Sequence, residues 1–173
     1  MDEREFDELY LTSYQRLTAQ LYAMIGNRDE AEECVQEAFV RAWQHRGKLG
    51  RTGRAEAWVR TTAYRLAVSR WRRVLLSRRS PDRALTKSGE RSTEPTDARL
   101  TLVAALRQLP ESQRRALVLH HLADLPVAEV ARETGSAEGT VKAHLSRGRA
   151  ALAGLLDDSR AAAGGLEEGA RHA

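Results

Sequence analysis

Two stretches of this sequence carry side chains suited to gripping a polyanion. In the first, Trp58, Thr62, Arg65, Ser69 and Arg72 recur at intervals of three and four residues, which on a helix brings them to one side. An aromatic ring among hydroxyls and guanidiniums suits phosphate contact together with base stacking. A basic, glycine-bearing loop precedes them, Arg46-Gly47-Lys48-Leu49-Gly50-Arg51-Thr52-Gly53-Arg54. The second stretch runs from Leu125 to Lys142. There Pro126 suits the first turn of a helix, Gly135 its C-terminal cap and Ser136 the N-cap of the next. Two helices joined by so few residues must cross steeply, which is helix-turn-helix geometry. In the helix that follows, Val141, Leu145, Leu152 and Leu155 line one side, and Gly139, Ala143, Ser146, Arg147 and Ala150 line the other, with Lys142 at the margin. An exposed face of small residues plus arginine can approach the floor of the major groove.

Each of these features has a plainer reading. A basic helix is also a solvated face, and helix-turn-helix units also occur as packing motifs. His120, His121 and Asp124 could be read as metal ligands, but neighbouring histidines on an α-helix diverge by about 100°, so no metal is expected. Cys34, the one cysteine, falls in an apolar stripe and reads as a buried structural thiol. The sequence has no glycine-rich phosphate loop, no metal-ligand constellation and no nucleophile–base pattern. No catalytic residue and no cofactor are expected, so an enzyme is the weakest reading.

The elements that must position these residues are helices. Aromatic residues make up only 5% of the 173 residues while Ala, Leu and Arg abound, a composition that leans towards helix. Phe6, Leu9, Tyr10, Leu17, Leu21 and Ile25 recur at helical spacing until Gly26, and Asn27 with Glu30 signals the cap of a second helix. That helix has the clearest pattern: Ala31, Cys34, Val35, Ala38, Phe39, Ala42 and Trp43 form one unbroken stripe. Opposite lie Glu33, Gln36, Glu37, Val40 and Arg41. A third helix is expected from about Ala55 to Leu76, with Val59, Ala63, Leu66, Ala67 and Val74 inward. Further on, Leu100, Val103, Leu106 and Leu109 mark a helix stopped by Pro110, and Ala116, Leu117, Leu119, His120 and Leu122 mark the next.

Between the two groups lies SRRSPDRALTKSGERSTEPT, residues 77–96, with two prolines and one large apolar residue. Such a segment cannot bury enough to order itself. It leaves two segments of roughly 75 and 60 residues, each near the lower limit for an independent core. Trypsin should therefore cut first between Arg78 and Arg99, as limited digestion followed by mass spectrometry would read. Early cuts inside 1–76 instead would contradict this division.

Charge is also divided. Residues 1–37 hold ten acidic residues against three arginines, whereas residues 38–80 hold twelve basic residues against Glu56 alone. A unit with an acidic part and a basic part suggests two partners of opposite charge. The N-terminus opens acidic with no apolar run behind it, and no stretch approaches membrane-spanning length. A cytoplasmic protein without direct membrane insertion is expected.

At two places the chain resembles the extracytoplasmic-function sigma factors, the smallest sigma subunits of bacterial RNA polymerase. Asp29-Glu30-Ala31-Glu32-Glu33-Cys34-Val35-Gln36-Glu37-Ala38-Phe39-Val40-Arg41-Ala42-Trp43 resembles the family's domain-2 helix. Leu109-Pro110-Glu111-Ser112-Gln113-Arg114, followed by Gly139-Thr140-Val141-Lys142-Ala143-His144-Leu145-Ser146-Arg147-Gly148-Arg149, resembles its domain 4. The resemblance covers nearly all of residues 5–157.

It implies an all-α fold of two small helical domains joined by a flexible linker: sigma domain 2 over 1–76, the linker over 77–96, a domain-4 helix-turn-helix over 97–157 and a loose tail over 158–173. By position, Gln36, Glu37, Arg41 and Gln44 would dock on the clamp of the largest polymerase subunit. Lys48, Arg51 and Arg54 of the loop, with Trp58, Thr62, Arg65, Ser69 and Arg72, would meet the −10 element, where a base is flipped out and single strand is held. Thr140, Lys142, Ala143, His144, Ser146, Arg147 and Arg149 would address the −35 element, while the same domain binds the flap of the second-largest subunit. Arg65 and Ser69 stand where the family often has Asn and Asp, so the −10 preference is this chain's own. Partners implied are core RNA polymerase, promoter DNA and an anti-sigma protein. The alternative is a conventional operator-binding regulator, which would use the helix-turn-helix and leave the first segment without a purpose.

Overall fold

The computed structural model describes residues 1–77 and 97–169, and the expected linker lies outside the described residues. Every described element is helical. The chain divides into two compact units, Met1–Ser92 and Thr93–Ala173.

The first unit is built from α1 (Glu3–Ile25), α2 (Arg28–Gln44), α3 (Arg46–Leu49) and α4 (Ala55–Ser77). Helix α1 starts in a capping box: Asp2 accepts from the Glu5 amide and the Glu5 carboxylate accepts from the Asp2 amide, at 2.9 and 2.8 Å. It ends at Gly26, whose φ of 74° is left-handed and open to glycine without strain. Asn27 then caps α2 by accepting from the Glu30 amide. The stripe on α2 is buried as its spacing requires, from Ala31 through Ala42, with Trp43 half-buried. Phe6 of α1 sets its ring edge-on to Phe39 and Trp43, and Tyr10 does the same to Phe39, with centroids 5.0–6.1 Å apart. Such pairs add about 0.5–1.5 kcal/mol each beyond area burial.

Helix α4 closes the bundle through Val59, Ala63 and Ala67. Three side chains on it, Arg60, Tyr64 and Arg70, behave in ways a stripe of apolar residues does not reveal. Arg60 and the ring of Tyr64 are buried, at 7% and 8% exposure. Glu56 explains Arg60: it takes Arg16 of α1 at 2.7 Å and Arg60 at 3.5 Å. Arg70 reaches Glu33 of α2 at 2.7 Å. The more exposed pairs, Arg16–Glu56 and Arg70–Glu33, contribute about 0–1 kcal/mol each, but they fix which residues face each other. Burial pushes the Cys34 thiol up to about 11, with Arg70 pulling the other way.

The second unit contains α5 (Asp97–Gln108), α6 (Glu111–Leu117), a π-helical turn (Val118–Leu122), α7 (Val127–Thr134) and α8 (Glu138–Gly169). Val103, Leu106, Leu109, Leu117, Val118, Leu119, Val130, Val141 and Leu145 make its core. Gly148 lies against α6: a Cβ there would stand 3.0 Å from Leu117 Cδ1 and 3.3 Å from Gln113 Cβ. The π turn widens the helix by one residue and lets His120 and His121 meet edge to face at 4.7 Å, where an α-helix would splay them. His120 Nδ1 lies 2.8 Å from the Leu125 carbonyl, which ties down the loop before α7. Two expectations are corrected here. Arg46–Leu49, expected as loop, forms a turn of helix, and α8 begins at Glu138, which leaves the cap position to Ala137 and not Ser136. Helix α8 extends to Gly169, in keeping with the high helix propensity of Ala161–Ala163.

Candidate nucleic-acid and protein interfaces

On α2 the side away from the core presents Gln36, Val40 and Gln44 in one row, all exposed, with Glu37 and Arg41 beside it. Arg41 Nε donates to Glu37 Oε1 at 2.9 Å, an i,i+4 pair that holds both chains along the helix. Gln36 Nε2 donates to the Tyr14 hydroxyl at 3.2 Å, and the Tyr14 ring rests on Tyr10. Val40 is 56% exposed in the middle of this row. An apolar centre rimmed by amides and charges is the anatomy of a protein-docking patch. Sequence reasoning put Val40 on this side but not among the docking residues, and it missed Tyr14, which only the packing of α1 on α2 brings to Gln36.

The basic residues begin just past the C-terminal end of α2 and continue along α4. Arg46 donates to the Trp43 carbonyl at 3.1 Å and lays its guanidinium 4.1 Å over the Trp43 ring. Leu49 is buried and anchors α3. Thr52 donates to the Leu49 carbonyl and Arg51 to that of Gly47, which shapes the connection to α4. Lys48, Arg51 and Arg54 are exposed on it. Trp58, in the first turns of α4, is half-buried with its ring 5.9 Å from His45. Thr62 is half-buried, and Arg65, Ser69 and Arg72 are exposed along the same side. This surface offers cations, a hydroxyl row and one partly covered aromatic face, a combination able to hold single-stranded nucleic acid.

In the second unit Gly135, φ 68°, closes α7, and its amide donates to Ala131. Arg115 of α6 donates to the Glu133 carbonyl at 3.3 Å. That bond holds the last turn of α7 and with it the corner that aims α8. On α8, Val141, Leu145 and Gly148 are buried while Thr140, Lys142, Ser146, Arg147 and Arg149 are exposed and Ala143 is half-buried. His144 stands apart from that set. It is half-buried, its Nδ1 is enclosed without a hydrogen-bond partner, and it walls a cleft of about 370 Å³ with Ser112, Arg115, Thr134 and Ser136. Burial, with His120 and Arg149 adding to it, pushes the His121 imidazole below its usual range. Among the described residues, no helix is long and apolar enough to cross a membrane.

Comparison with known proteins bears on both units. The Sigma-70 region 2 family model matches residues 9–75, and the Sigma-70, region 4 model matches residues 99–152. The chain is 34% identical over 130 residues to the ECF RNA polymerase sigma factor SigL of Mycobacterium tuberculosis, across 70% of this chain and 72% of that one. It is 27% identical over 155 residues to SigM of the same organism, across 90% and 79%. Among solved structures it is similar in fold to the sigma factor RpoE in complex with the anti-sigma factor NepR from Bartonella quintana, with a TM-score of 0.73 and 24% identity over 89% of this chain and 98% of that one.

Proposed function

The chain belongs to the ECF RNA polymerase sigma factors and directs the polymerase to promoters; from that premise we propose how its surfaces divide the work. The row on α2, Gln36, Glu37, Arg41 and Gln44 with Val40 at its centre, docks on the clamp of the largest subunit of core polymerase. Lys48, Arg51 and Arg54, with Trp58, Thr62, Arg65, Ser69 and Arg72 of α4, capture the non-template strand of the −10 element as it opens. Helix α8 enters the major groove of the −35 element, and the second unit also meets the flap of the second-largest subunit. Residues 1–76 and 97–157 are the two working domains, with 77–96 as the connection between them. Recognition is this protein's part and the polymerase carries the chemistry, so it needs no cofactor and acts in the cytoplasm.

The observation that carries this reading is the division on α8: the residues that pack against α6 are buried, and the arginine, lysine and hydroxyl side chains stand outward just after the helix-turn-helix corner. Thr140, Ser146 and Arg147 address bases, while Lys142 and Arg149 flank them and address phosphates. His144 is the exception. It turns to the cleft beside α6 and supports the reading helix from behind. A conventional operator-binding regulator would leave the α2 row and α4 unused. An anti-sigma protein is a further partner in this reading, supported by the fold shared with a sigma factor solved together with one.

Run-off transcription with purified core polymerase on a pool of genomic promoter fragments tests the whole reading. A defined set of start sites sharing −10 and −35 sequences is expected, and indiscriminate initiation would reject it. Replacing Gln36 and Arg41 together by Ala tests the docking row. Both side chains are exposed, so circular dichroism should not change, while affinity for core should fall about tenfold or more, as loss of contacts near an interface centre does. Unchanged core affinity would remove the row from the interface.

A further inference from the structure

We propose that His45 is a positioning residue of the −10 capture site, holding the Trp58 indole in the orientation that meets a base. This rests on the reading of α4 as the promoter-facing helix. The His45 ring stands 5.9 Å from that of Trp58, centroid to centroid, with the two planes 69° apart. Edge-to-face contact at this separation is a favourable arrangement of two aromatic rings. Trp58 heads the row on α4 that continues through Thr62, Arg65, Ser69 and Arg72, all within about 40° of its direction around the helix. His45 thus touches that row at its first member, from outside α4.

The corner at His45 is held by backbone. Its amide donates to the Arg41 and Ala42 carbonyls at 3.2 and 3.1 Å, and its own carbonyl accepts from the amides of Lys48 and Leu49. The side chain makes no capping hydrogen bond and is exposed, so neither the turn nor the core accounts for an imidazole there. The residues around it are fixed. Arg46 lies over the Trp43 ring and bonds the Trp43 carbonyl, and buried Leu49 anchors α3. His45 therefore presents its ring from a rigid corner.

What the contact does follows from the situation of Trp58. The indole is half-buried in the first turns of α4, and an aromatic side chain left alone at such a place exchanges among staggered rotamers. Ordering it as a base arrives would cost affinity, and a ring ordered beforehand avoids that loss. Lys48, Arg51 and Arg54, exposed on the connection to α4, already offer cations to phosphates. The contribution of His45 is therefore shape and not charge.

The test uses holoenzyme reconstituted from core and the full chain, on a promoter fragment recovered by the wild type from its own genomic pool. His45→Ala should lower promoter affinity by roughly 2- to 13-fold, the range for ordering one side chain on binding. Core affinity should not change, because the bonds of the corner do not use the imidazole. His45→Phe keeps an aromatic edge and should retain most of the affinity, whereas His45→Lys keeps only a cation and should behave like the alanine variant. The loss must also run through Trp58. In a Trp58→Ala background, His45→Ala should have no further effect, a coupling that independent contacts do not show. Wild-type promoter affinity for His45→Ala would overturn the inference. So would additive losses, or rescue by Lys and not by Phe, because His45 would then meet DNA on its own account. A fall in core affinity would also overturn it, by making His45 a structural residue of the corner. Trp58→Ala alone separates this from the wider reading. If it weakens promoter binding while His45→Ala does not, only the positioning role falls; if Trp58→Ala has no effect, α4 does not capture DNA through this side and both fall.

Discussion

Phe39→Ala is expected to destabilise the first unit by about 3–5 kcal/mol, the range for emptying a phenylalanine site in a packed core. Phe39 is 3% exposed, and it receives the edge of Phe6 and of Tyr10. The cavity would thus lie between α1 and α2, where neither helix can move inward without breaking the other contacts of the stripe. Small domains hold only about 5–15 kcal/mol in total, and one of this size sits near the lower end. Urea titration followed by circular dichroism should show a shifted first transition. Cys34 gives a second readout. Its thiol is buried and pushed up to about 11, so at neutral pH it should react slowly with iodoacetamide in the wild type and quickly in the variant. The second unit has its own core and should unfold as before. A loss below about 1 kcal/mol would mean that Tyr10 and Tyr14 close over the space, and that α1 is less fixed than the ring contacts imply.

The first unit was legible in the sequence because its central helix is one-sided and unbroken. Seven apolar residues at helical spacing define the buried side of α2, and everything left over defines the row on the other side. Where three helices meet, that logic fails. Arg60 looks like one more surface cation of a basic helix, yet it is buried because Arg16 of α1 fixes the Glu56 carboxylate beside it. No window within α4 contains Arg16. The π turn at Val118–Leu122 was hidden for a different reason. One extra residue in a single turn barely disturbs an apolar period, although it brings His120 to the Leu125 carbonyl.

The sites proposed to face DNA divide in the same way. Gly135 announces the helix-turn-helix corner because the left-handed conformation there suits glycine. Thr140, Ser146 and Arg147 then follow from the period of Val141, Leu145 and Leu152. His144 carries no such signal. It lies between the buried and exposed arcs of α8, and only the position of α6 turns it towards the cleft. Trp71 carries no such signal either: no apolar spacing assigned it a side, and its 60% exposure emerges only from the packing of α4.

Arg147→Ala is expected to cost about 1–3 kcal/mol at the −35 element and to relax preference at one or two base pairs. Arg147 is exposed one turn beyond Ala143, on the side of α8 opposite Leu145 and Gly148. In the proposed docking this arginine would stand at the groove floor, where Arg most often reads guanine through O6 and N7. Lys142 would lie on the flank, where the groove wall presents phosphates. Its replacement by Ala should weaken all promoters alike and reduce the salt dependence by about one unit of slope. The measurement is transcription from a promoter library randomised across the −35 element, with each variant holoenzyme at two salt concentrations. The two variants thus separate reading from holding, since one changes the order of preferred sequences and the other only their common level. His144→Ala adds a third pattern. With its ring against the cleft and not the groove, it should lower −35 binding without altering the order of preferred sequences and without changing the salt slope. If Arg147→Ala preserves the wild-type order instead, α8 does not read DNA through this side, and the assignment of Thr140 and Ser146 falls with it.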